Sequence, residues 1–187
     1  MRLVLASASP RRADLLRAAG ATFDTLSVDV DETIRVAESP DAYVRRLAME
    51  KSARAMEMLD GSFVVIGADT AVVIDDEILG KPQDDADAER MLRRLSGRRH
   101  DVMTGISLRR GEVEIGRVET TAVYCSVLSQ AAVSRYVASG EGRDKAGAYA
   151  IQGLASRFIP RIEGSYSNVV GLPIACVFEL LERLQSG

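Results

Sequence analysis

Two serines and two arginines share a short segment near the start of the chain, SASPRR at residues 7–12, directly after an apolar run. The apolar run predicts a strand, and Ser9 followed by proline is typical of the start of a helix. Arg11 and Arg12 then lie in the first helical turn, where the helix dipole disfavours each cation by about 0.3–1 kcal/mol. Several polar groups converge there: the hydroxyl groups of Ser7 and Ser9, backbone N–H groups and both guanidinium groups. The segment could therefore bind a polyphosphate or another multiply charged anion. The alternative is an ordinary capped helix whose arginines point into solvent.

Asp69 is a carboxylate in an otherwise apolar stretch. It interrupts residues 63–74, FVVIGADTAVVI, which is typical of a strand that is buried on both faces. A buried carboxylate is costly unless a metal, a cation or hydrogen bonds compensate it. Gly67 and Ala68 would leave room for a ligand; alternatively, backbone N–H groups at a bulge would satisfy the carboxylate. Strict alternation places Asp69 and Thr70 on opposite faces, so both reach one site only if the strand bulges or ends nearby.

Two lysines are candidates for anion binding. Helical spacing places Lys51 on the apolar stripe that includes Val44, Leu47 and Ala55, a face that should be core. Its amine either extends past the edge of the core into solvent or points into a charged cleft. Lys81 follows a predicted strand within a Gly-Lys-Pro sequence, and taken alone it is more typical of a surface loop.

Other residues narrow the chemistry. The only histidine, His100, lies between two charged residues and is more typical of a strand edge than of a catalyst. Serine or cysteine nucleophiles paired with histidine are therefore disfavoured. Carboxylates with a hard divalent cation can still activate water, and Mg²⁺ or Mn²⁺ on Glu32 and Asp69 would suit phosphate oxygens. Neither GxxxxGK[ST] nor GxGxxG is present, which disfavours the NTPase and dinucleotide-binding folds that use them.

The composition is that of an ordinary globular protein: 47% of the 187 residues are apolar and 27% are charged. The net charge is −3, and no block of Lys and Arg is long enough for a nucleic-acid interface, whereas small anionic ligands are compatible with it. Cys125 and Cys176 lack the spacing of a metal or redox site, which fits a reducing compartment. No segment resembles a signal peptide or a membrane span. These features predict a cytoplasmic protein that binds neither nucleic acid nor membrane.

Strand and helix patterns alternate along the chain without repeats, linkers or low-complexity tracts. They predict an α/β fold with a mixed sheet in a single domain over residues 1–187, because both crossovers and a hairpin are present. The glycine-rich segment 140–153 lacks periodicity and is predicted to be a functional loop. The predicted strands lie at residues 3–6, 23–28, 63–74, 78–79, 101–109 and 112–128, and the predicted helices at 10–19, 40–59, 84–95, 130–139 and 173–184.

Seven short blocks follow one another along essentially the whole chain. They are SASPRR at residues 7–12, GADT at 67–70, GKP at 80–82, LSG at 95–97, DKAGAY at 144–149, IQG at 151–153 and SNVVGLP at 167–173. Each block alone is weakly specific. Together, in this order, they are highly specific, and the chain resembles the Maf nucleotide pyrophosphatases.

The resemblance implies a fold related to the inosine triphosphate pyrophosphatases, Maf/Ham1-like, with two lobes and a central cleft around an elongated mixed sheet flanked by helices. It also implies hydrolysis of a nucleoside triphosphate between the α and β phosphates, giving the monophosphate and pyrophosphate, with Mg²⁺ or Mn²⁺ as cofactor. By position, Asp69 would be the catalytic proton acceptor, and Glu32 would help to bind metal or water. If Asp69 instead binds the metal, it is a poorer proton acceptor and another group supplies the nucleophile. The phosphate-binding residues would be Ser7, Ser9, Arg12, Lys51 and Lys81.

Arg11, Thr70 and Gln152 fall at the family positions that separate substrate branches. Members that act on dTTP and UTP resemble this chain, with Pro-Arg-Arg and Ala-Asp-Thr, whereas the 7-methyl-GTP branch carries Trp for the first arginine and Gln for the threonine. The resemblance therefore implies a house-cleaning dTTP/UTP pyrophosphatase, and a 7-methyl-GTP pyrophosphatase is the alternative. Modified pyrimidine nucleotides such as 5-methyl-UTP or pseudo-UTP would fit the same contacts. Ala155 and Ser156 depart from relatives that often carry Gly, which would alter the loop shape without touching a matched residue.

Two other function classes are alternatives to the enzyme. The family is tied to arrest of cell division and septum formation, so the chain could be a nucleotide-binding regulator. Glu32 and Asp69 argue against a regulator, because a sensor needs the cations but not the carboxylates. An RNA-binding module that uses the first-helix arginines is disfavoured by the negative net charge. The resemblance also implies that homodimers occur among relatives, although no exposed apolar stripe in the sequence requires one.

Overall fold

The structure is a computed structural model that describes residues 2–186. Within that range the strands are β1 (Arg2–Ala6), β2 (Asp24–Thr25), β3 (Phe63–Ile74), β4 (Glu77–Leu79), β5 (Arg99–Arg110), β6 (Val113–Tyr124) and β7 (Arg161–Glu163). The α-helices are α1 (Pro10–Ala18), α2 (Pro40–Glu57), α3 (Asp85–Leu95), α4 (Gln130–Ala138), α5 (Tyr166–Val170) and α6 (Ile174–Ser186), and short 3-10 helices span Ala146–Ala148 and Leu154–Phe158. None of the helices described between residues 2 and 186 has the length and apolar character needed to cross a membrane.

The strands form one mixed sheet in the order β2-β1-β3-β5-β6-β7, and β4 pairs with β3. β1 runs parallel to both β2 and β3, in a register that places Ala6 opposite Gly67. β4 is antiparallel to β3, and β7 is antiparallel to β6. The predicted α/β fold with a mixed sheet flanked by helices is therefore confirmed.

The first of two compact units contains the residues up to Thr70, residues 104–119 and the residues from Gly171 onward. Its core consists of two apolar clusters. Leu5, Leu16, Ile66, Ile106, Leu172 and Val177 are among the members of the larger cluster, which packs α1 and α6 against the sheet. Val4, Ala6, Ala55, Phe63 and Val65 form the smaller cluster, which packs α2 against it.

The second compact unit contains Ala71–Met103 and Thr120–Val170. Its single large apolar cluster includes Val72, Leu79, Leu92, Val102, Val123, Val133 and Tyr149. The buried face of α3 consists of Ala88, Met91, Leu92 and Leu95, which have the spacing of one face of a helix. The amphipathic pattern of this helix was thus a sufficient guide to its packing.

The short elements differ from the sequence prediction. The predicted strand at 23–28 pairs only over Asp24–Thr25, although Leu26 and Val28 still pack against the smaller cluster of the first unit. Its apolar alternation therefore indicated burial rather than strand pairing. The sequence analysis also missed β7, α5 and the second 3-10 helix, because elements of three to five residues are too short to show periodicity.

The buried face of α6 consists of Cys176, Val177, Leu180, Leu181 and Leu184, whereas Ile174 and Phe178 are half-buried. The predicted loop at 140–153 contains the 3-10 helix Ala146–Ala148.

His100 is the second residue of β5, so it lies at the end of a strand as predicted, and it is only 2% exposed. Its Nε2 is 2.8 Å from the hydroxyl oxygen of Tyr149, and its buried Nδ1 has no hydrogen-bond partner in the part of the chain that the structure describes. Burial, assisted by the nearby charge of Arg99, lowers the pKa of His100 to about 4. The neutral imidazole is therefore a core group of the second unit.

We expect the buried imidazole to make the protein less stable as the pH falls from 6.5 to about 4. In that window the unfolded chain binds a proton at His100, whereas the folded chain does not, so stability rises with pH and is lost on acidification. The free energy of urea unfolding, measured at several pH values between these limits, should fall less steeply in His100→Gln than in the parent protein. If the unfolding free energy depended equally on pH in both proteins, a lowered pKa of His100 in the folded state would be contradicted.

Candidate active site

The segment at residues 7–12 connects β1 to α1, and the helix begins after Ser9 as predicted. The Ser9 side chain makes no capping hydrogen bond. Instead, the Ser7 hydroxyl oxygen accepts a hydrogen bond from the Ser9 N–H group at 3.1 Å. Arg11 and Arg12 are both half-buried in the first turn, so the alternative of two arginines in solvent is wrong.

Arg12 donates hydrogen bonds to four protein oxygens. Its Nε is 2.7 Å from the Gly171 carbonyl oxygen, and its Nη1 is 2.9 Å from the Ala68 carbonyl oxygen. Its Nη2 is 3.0 Å from Thr70 Oγ1, and its Nη1 is 3.4 Å from Ser7 Oγ. Burial is the main cause that lowers the pKa of Arg12, although a guanidinium group stays protonated. Because all four acceptors are uncharged, these bonds fix the guanidinium group without compensating its charge, which is a favourable arrangement for binding an anion.

A buried lysine connects two carboxylates. Lys51 Nζ on α2 is 2.6 Å from Asp69 Oδ1 on β3 and 2.7 Å from Glu32 Oε1. Lys51 and Asp69 are each 8% exposed, whereas the side chain of Glu32 is 49% exposed. Lys51 therefore points into a charged cluster and not into solvent. Asp69 is compensated by this cation rather than by a bulge in the strand.

Six of the predicted residues of the first unit form two contact groups. Ser7, Arg12 and Thr70 are connected by the bonds of Arg12, and Glu32, Lys51 and Asp69 are connected by the bonds of Lys51. Thr70 Oγ1 also lies 3.0 Å from Thr104 Oγ1 and 3.3 Å from the Gly171 carbonyl oxygen. Asp69 and Thr70 are consecutive but have different partners, as the alternation of a strand predicts. The two groups thus meet on β3.

The contact between α2 and the sheet explains how Lys51 reaches Asp69. A Cβ atom at Gly67 would lie 2.1 Å from the Ala48 carbonyl oxygen, and one at Gly105 would lie equally close to another carbonyl oxygen of α2. The helix backbone therefore lies directly on two glycines of neighbouring strands. Residues 67 and 69 share one face of β3, and Lys51 follows Ala48 by about one helical turn. The close approach consequently brings the amine to the carboxylate.

Tyr43 is a site residue that the sequence analysis missed. Its hydroxyl group donates a hydrogen bond to the Glu32 carbonyl oxygen at 3.1 Å. Burial, and in addition the charges of Asp69 and Glu32, raise the pKa of Tyr43 to about 12, so the hydroxyl group remains a donor. Tyr43, Leu47 and Lys51 recur every four residues on α2, and this spacing is the signal that could have identified Tyr43.

Lys81 and Gln152 belong to the second unit, whereas the other predicted site residues belong to the first. Lys81 is exposed in the loop after β4, and the preceding Gly80 carbonyl oxygen accepts a hydrogen bond from the Gly147 N–H group at 3.0 Å. Gln152 is also exposed, and together with Tyr166 it lines a surface pocket of about 370 Å³. Both residues are thus accessible within their own unit.

Glu32 and Asp69 fit a hard divalent cation, because their oxygens share one hydrogen-bond donor and the Glu32 side chain is half exposed. Among residues 2–186, no group of three or more His, Cys, Asp or Glu side chains could hold a metal ion. Mg²⁺ usually takes one or two carboxylates and completes its coordination with water and substrate phosphates. A cation held by Glu32 and Asp69 would likewise need substrate phosphates to complete its coordination.

A family model described as Maf-like protein matches residues 2–184. The chain belongs to the Maf-like family. It is 46% identical to the dTTP/UTP pyrophosphatase of Pseudoalteromonas atlantica, over 97% of this chain and 96% of that protein. It is 49% identical to the dTTP/UTP pyrophosphatase of Koribacter versatilis, over 98% of this chain and 94% of that protein.

The Maf-like chain also resembles a solved structure of a HAM1 protein from Coxiella burnetii. The TM-score is 0.54, the alignment covers all of both chains, and 14% of the residues are identical. At this identity the likeness shows the fold alone. The predicted Ham1-like fold is therefore confirmed.

We expect Gly67→Ala to destabilise this Maf-like protein. The new Cβ atom would lie 2.1 Å from a backbone oxygen of α2, so the helix must move away from β3. Overpacking of this kind costs about 1–3 kcal/mol, which lowers the thermal midpoint by roughly 2–4 °C per kcal/mol in a chain of this size. Differential scanning calorimetry measures the shift.

The matched control for Gly67→Ala is Gly80→Ala, since a Cβ atom at Gly80 has no neighbour within 4 Å. Its midpoint should stay close to that of the parent protein. Equal midpoints for both variants would contradict the close packing of α2 on β3.

Proposed function

We propose that this chain hydrolyses dTTP and UTP between the α and β phosphates, releasing the nucleoside monophosphate and pyrophosphate. The observation that carries the proposal is the buried Lys51 ammonium, which joins Asp69 and Glu32 while Asp69 lies in the electrostatic field of Arg12. The substrate is supported by relatives named dTTP/UTP pyrophosphatase, which align with the chain over nearly their whole length. Modified pyrimidine nucleotides would make the same contacts.

We assign triphosphate binding to five side chains: Ser7, Ser9, Arg12, Lys51 and Lys81. Arg12 already donates to four protein oxygens, so its main contribution is a fixed positive charge. Ser9 offers a hydroxyl group that does not cap its helix. Lys51 offers a buried ammonium group, and Lys81 is assigned from its place in the Gly-Lys-Pro block.

The proposed cofactor is Mg²⁺ or Mn²⁺, held by Glu32 and Asp69. When bound, the cation would neutralise phosphate charge and make a coordinated water more acidic. Asp69 acts at the reacting phosphate, either as proton acceptor for the attacking water or as a ligand, and both roles require its negative charge. Lys51 orients both carboxylates, because its Nζ donates to each of them.

Base preference is assigned to Arg11, Thr70 and Gln152. Thr70 acts through Arg12, because its Oγ1 accepts a hydrogen bond from Nη2 and a longer side chain would displace that contact. Gln152 lines the same pocket as Tyr166, and an amide side chain can pair with the polar edge of a pyrimidine. These assignments distinguish the proposed activity from hydrolysis of 7-methyl-GTP.

The proposed partners are free nucleotides, with no nucleic acid or membrane, and the protein acts alone or as a homodimer. The proposed location is the cytoplasm, where nucleoside triphosphates are made and used. The net charge of −3 supports the exclusion of nucleic acid, because a polyanion needs a larger excess of cations than this sequence offers.

Pyrophosphate release from a nucleotide panel tests the proposal. The panel contains dTTP, UTP, CTP, 7-methyl-GTP and ITP, each with Mg²⁺ or Mn²⁺ and with an EDTA control. We expect metal-dependent release from dTTP and UTP. Preference for 7-methyl-GTP would refute the assigned base preference, and no release from any nucleotide would refute the enzyme in favour of a nucleotide-binding regulator.

We expect Asp69→Asn to lower kcat for UTP by about 10²–10⁴-fold, because the variant removes the charge that acts at the reacting phosphate. Nucleotide binding should survive, since the cationic and hydroxyl groups remain. Calorimetric titration with an α,β-methylene analogue of UTP measures binding in both proteins. Full turnover in Asp69→Asn would contradict the catalytic assignment.

Asp75→Asn is the control for this substitution. It removes a carboxylate that pairs with Arg98 at 2.6 Å on the surface of the second unit. Exposed pairs of this kind contribute little, so kcat and the affinity for the analogue should both match the parent values.

A further inference from the structure

Glu32 lies on an irregular segment between β2 and α2. The segment at residues 31–37 contains no strand or helix, and all its residues are exposed. An exposed side chain on a loop of this kind keeps a fixed position only if its backbone is held by neighbouring groups. Lys51 contacts the Glu32 carboxylate at 2.7 Å, and the backbone contacts of the segment decide where the main chain of Glu32 lies.

Two side chains of α2 hold three consecutive carbonyl groups of this segment. Arg46 Nη1 is 3.2 Å from the Asp31 carbonyl oxygen, and Arg46 Nη2 is 3.1 Å from the Thr33 carbonyl oxygen. Between them, the Tyr43 hydroxyl group donates to the Glu32 carbonyl oxygen at 3.1 Å. The guanidinium group thus contacts the backbone on both sides of Glu32.

The guanidinium group of Arg46 is itself tightly fixed. Its Nε and Nη2 lie 2.6 Å and 2.8 Å from the two carboxylate oxygens of Glu38, and its Nη1 lies 3.3 Å from Glu50 Oε2. The Arg46 side chain is 11% exposed and that of Glu38 is 8% exposed. Charge-assisted bidentate pairs with little exposure have a defined geometry.

The same carboxylates also hold the far end of the segment. Glu38 Oε2 accepts a hydrogen bond from the Arg35 N–H group at 3.0 Å, and Glu50 Oε1 lies 2.9 Å from Arg35 Nη2. The hydrogen bonds from Arg46 lower the pKa of Glu38 to about 2, so the pair stays ionised at neutral pH. The segment is therefore anchored to α2 at both of its ends.

We propose that Arg46 is a positioning residue of the active site, which fixes Glu32 for binding of the divalent cation by holding the carbonyl groups on either side of it. The inference rests on the proposed role of Glu32 in catalysis. Arg46 does not need to touch the substrate. It acts because the backbone that it holds determines where the Glu32 carboxylate lies relative to Asp69.

Arg45 provides a matched control. It is the adjacent residue of the same helix and forms a bidentate pair with Glu114, with Nη1–Oε1 and Nη2–Oε2 distances of 2.8 Å and 3.0 Å. Its third contact is the Ile106 carbonyl oxygen, which lies on β5 and not on the 31–37 segment. Arg45→Gln therefore removes a comparable ion pair without releasing Glu32.

The experiment compares Arg46→Gln, Arg46→Lys, Tyr43→Phe and Arg45→Gln by hydrogen exchange and by kinetics. In Arg46→Gln, we expect the amides of residues 31–37 to exchange about tenfold faster in the protein without nucleotide. We also expect a kcat about 10–100-fold lower and a Mg²⁺ concentration for half-maximal activity that is higher by a similar factor. Tyr43→Phe should show the same changes at smaller size, because it loses only the middle contact.

Arg46→Lys distinguishes a positioning role of Arg46 from an effect of its positive charge alone. Lysine keeps the charge but cannot contact two carbonyl groups and a carboxylate in one plane, so Arg46→Lys should recover less than half of the lost kcat. Arg45→Gln should leave exchange in the segment, kcat and the Mg²⁺ requirement at their parent values. Equal behaviour of Arg45→Gln and Arg46→Gln would overturn the proposal.

The readouts also distinguish this inference from the proposed function. Faster exchange in Arg46→Gln with unchanged kcat and Mg²⁺ requirement would overturn the positioning role, because the place of Glu32 would then be irrelevant to catalysis. Unchanged exchange would overturn it as well, because the segment would not be held by Arg46. Failure of the parent protein on the nucleotide panel would instead refute the proposed function, and the exchange data would remain interpretable.

Discussion

The backbone of α2 lies so close to the sheet that a side chain at Gly67 or Gly105 would overlap a helix carbonyl oxygen. The helix rests on two neighbouring strands. This contact fixes the distance of α2 from the sheet and its rotation about its own axis. Lys51 lies a turn further along the helix and therefore reaches Asp69, two residues after Gly67 on β3. The charged centre of the site is thus a consequence of backbone packing, and the packing is possible because these two positions lack a Cβ atom.

Burial of the Lys51 and Asp69 charges costs free energy, and this cost indicates a functional role. Two charges with less than a tenth of their surface exposed lose hydration, and such a pair often stabilises a fold no more than apolar residues of similar volume would. Arg12 presents a related case, because its acceptors are all uncharged and its cost of burial lowers its pKa. A cation such as Arg12, held in place at this cost, is useful if a multiply charged anion binds, since the anion compensates its charge.

Strand bounds and buried helix faces could be predicted from the sequence, because they depend on the local residue pattern. The apolar run at 63–74 defines β3 residue by residue, and the helical stripe through Lys51 correctly places it on the buried face of α2. The pattern could not choose between a lysine that extends into solvent and one that meets Asp69, because that choice depends on the distance between helix and sheet. It also could not assign the partners of Arg12, since three of them lie more than fifty residues away and two are backbone carbonyl oxygens, which carry no sequence signal.

A single helix holds both carboxylates of the proposed metal site. Lys51 faces the sheet and contacts Asp69, whereas Tyr43 and Arg46 hold the segment that carries Glu32. At about 100° per residue, Arg46 and Lys51 lie well apart around the axis and Tyr43 lies between them, so the contacts of the segment extend around α2 from Arg46 to Lys51. Because these anchors belong to one rigid element, the separation of Glu32 from Asp69 follows from how α2 sits on the sheet. Any change that shifts the helix would therefore disturb both ligands together.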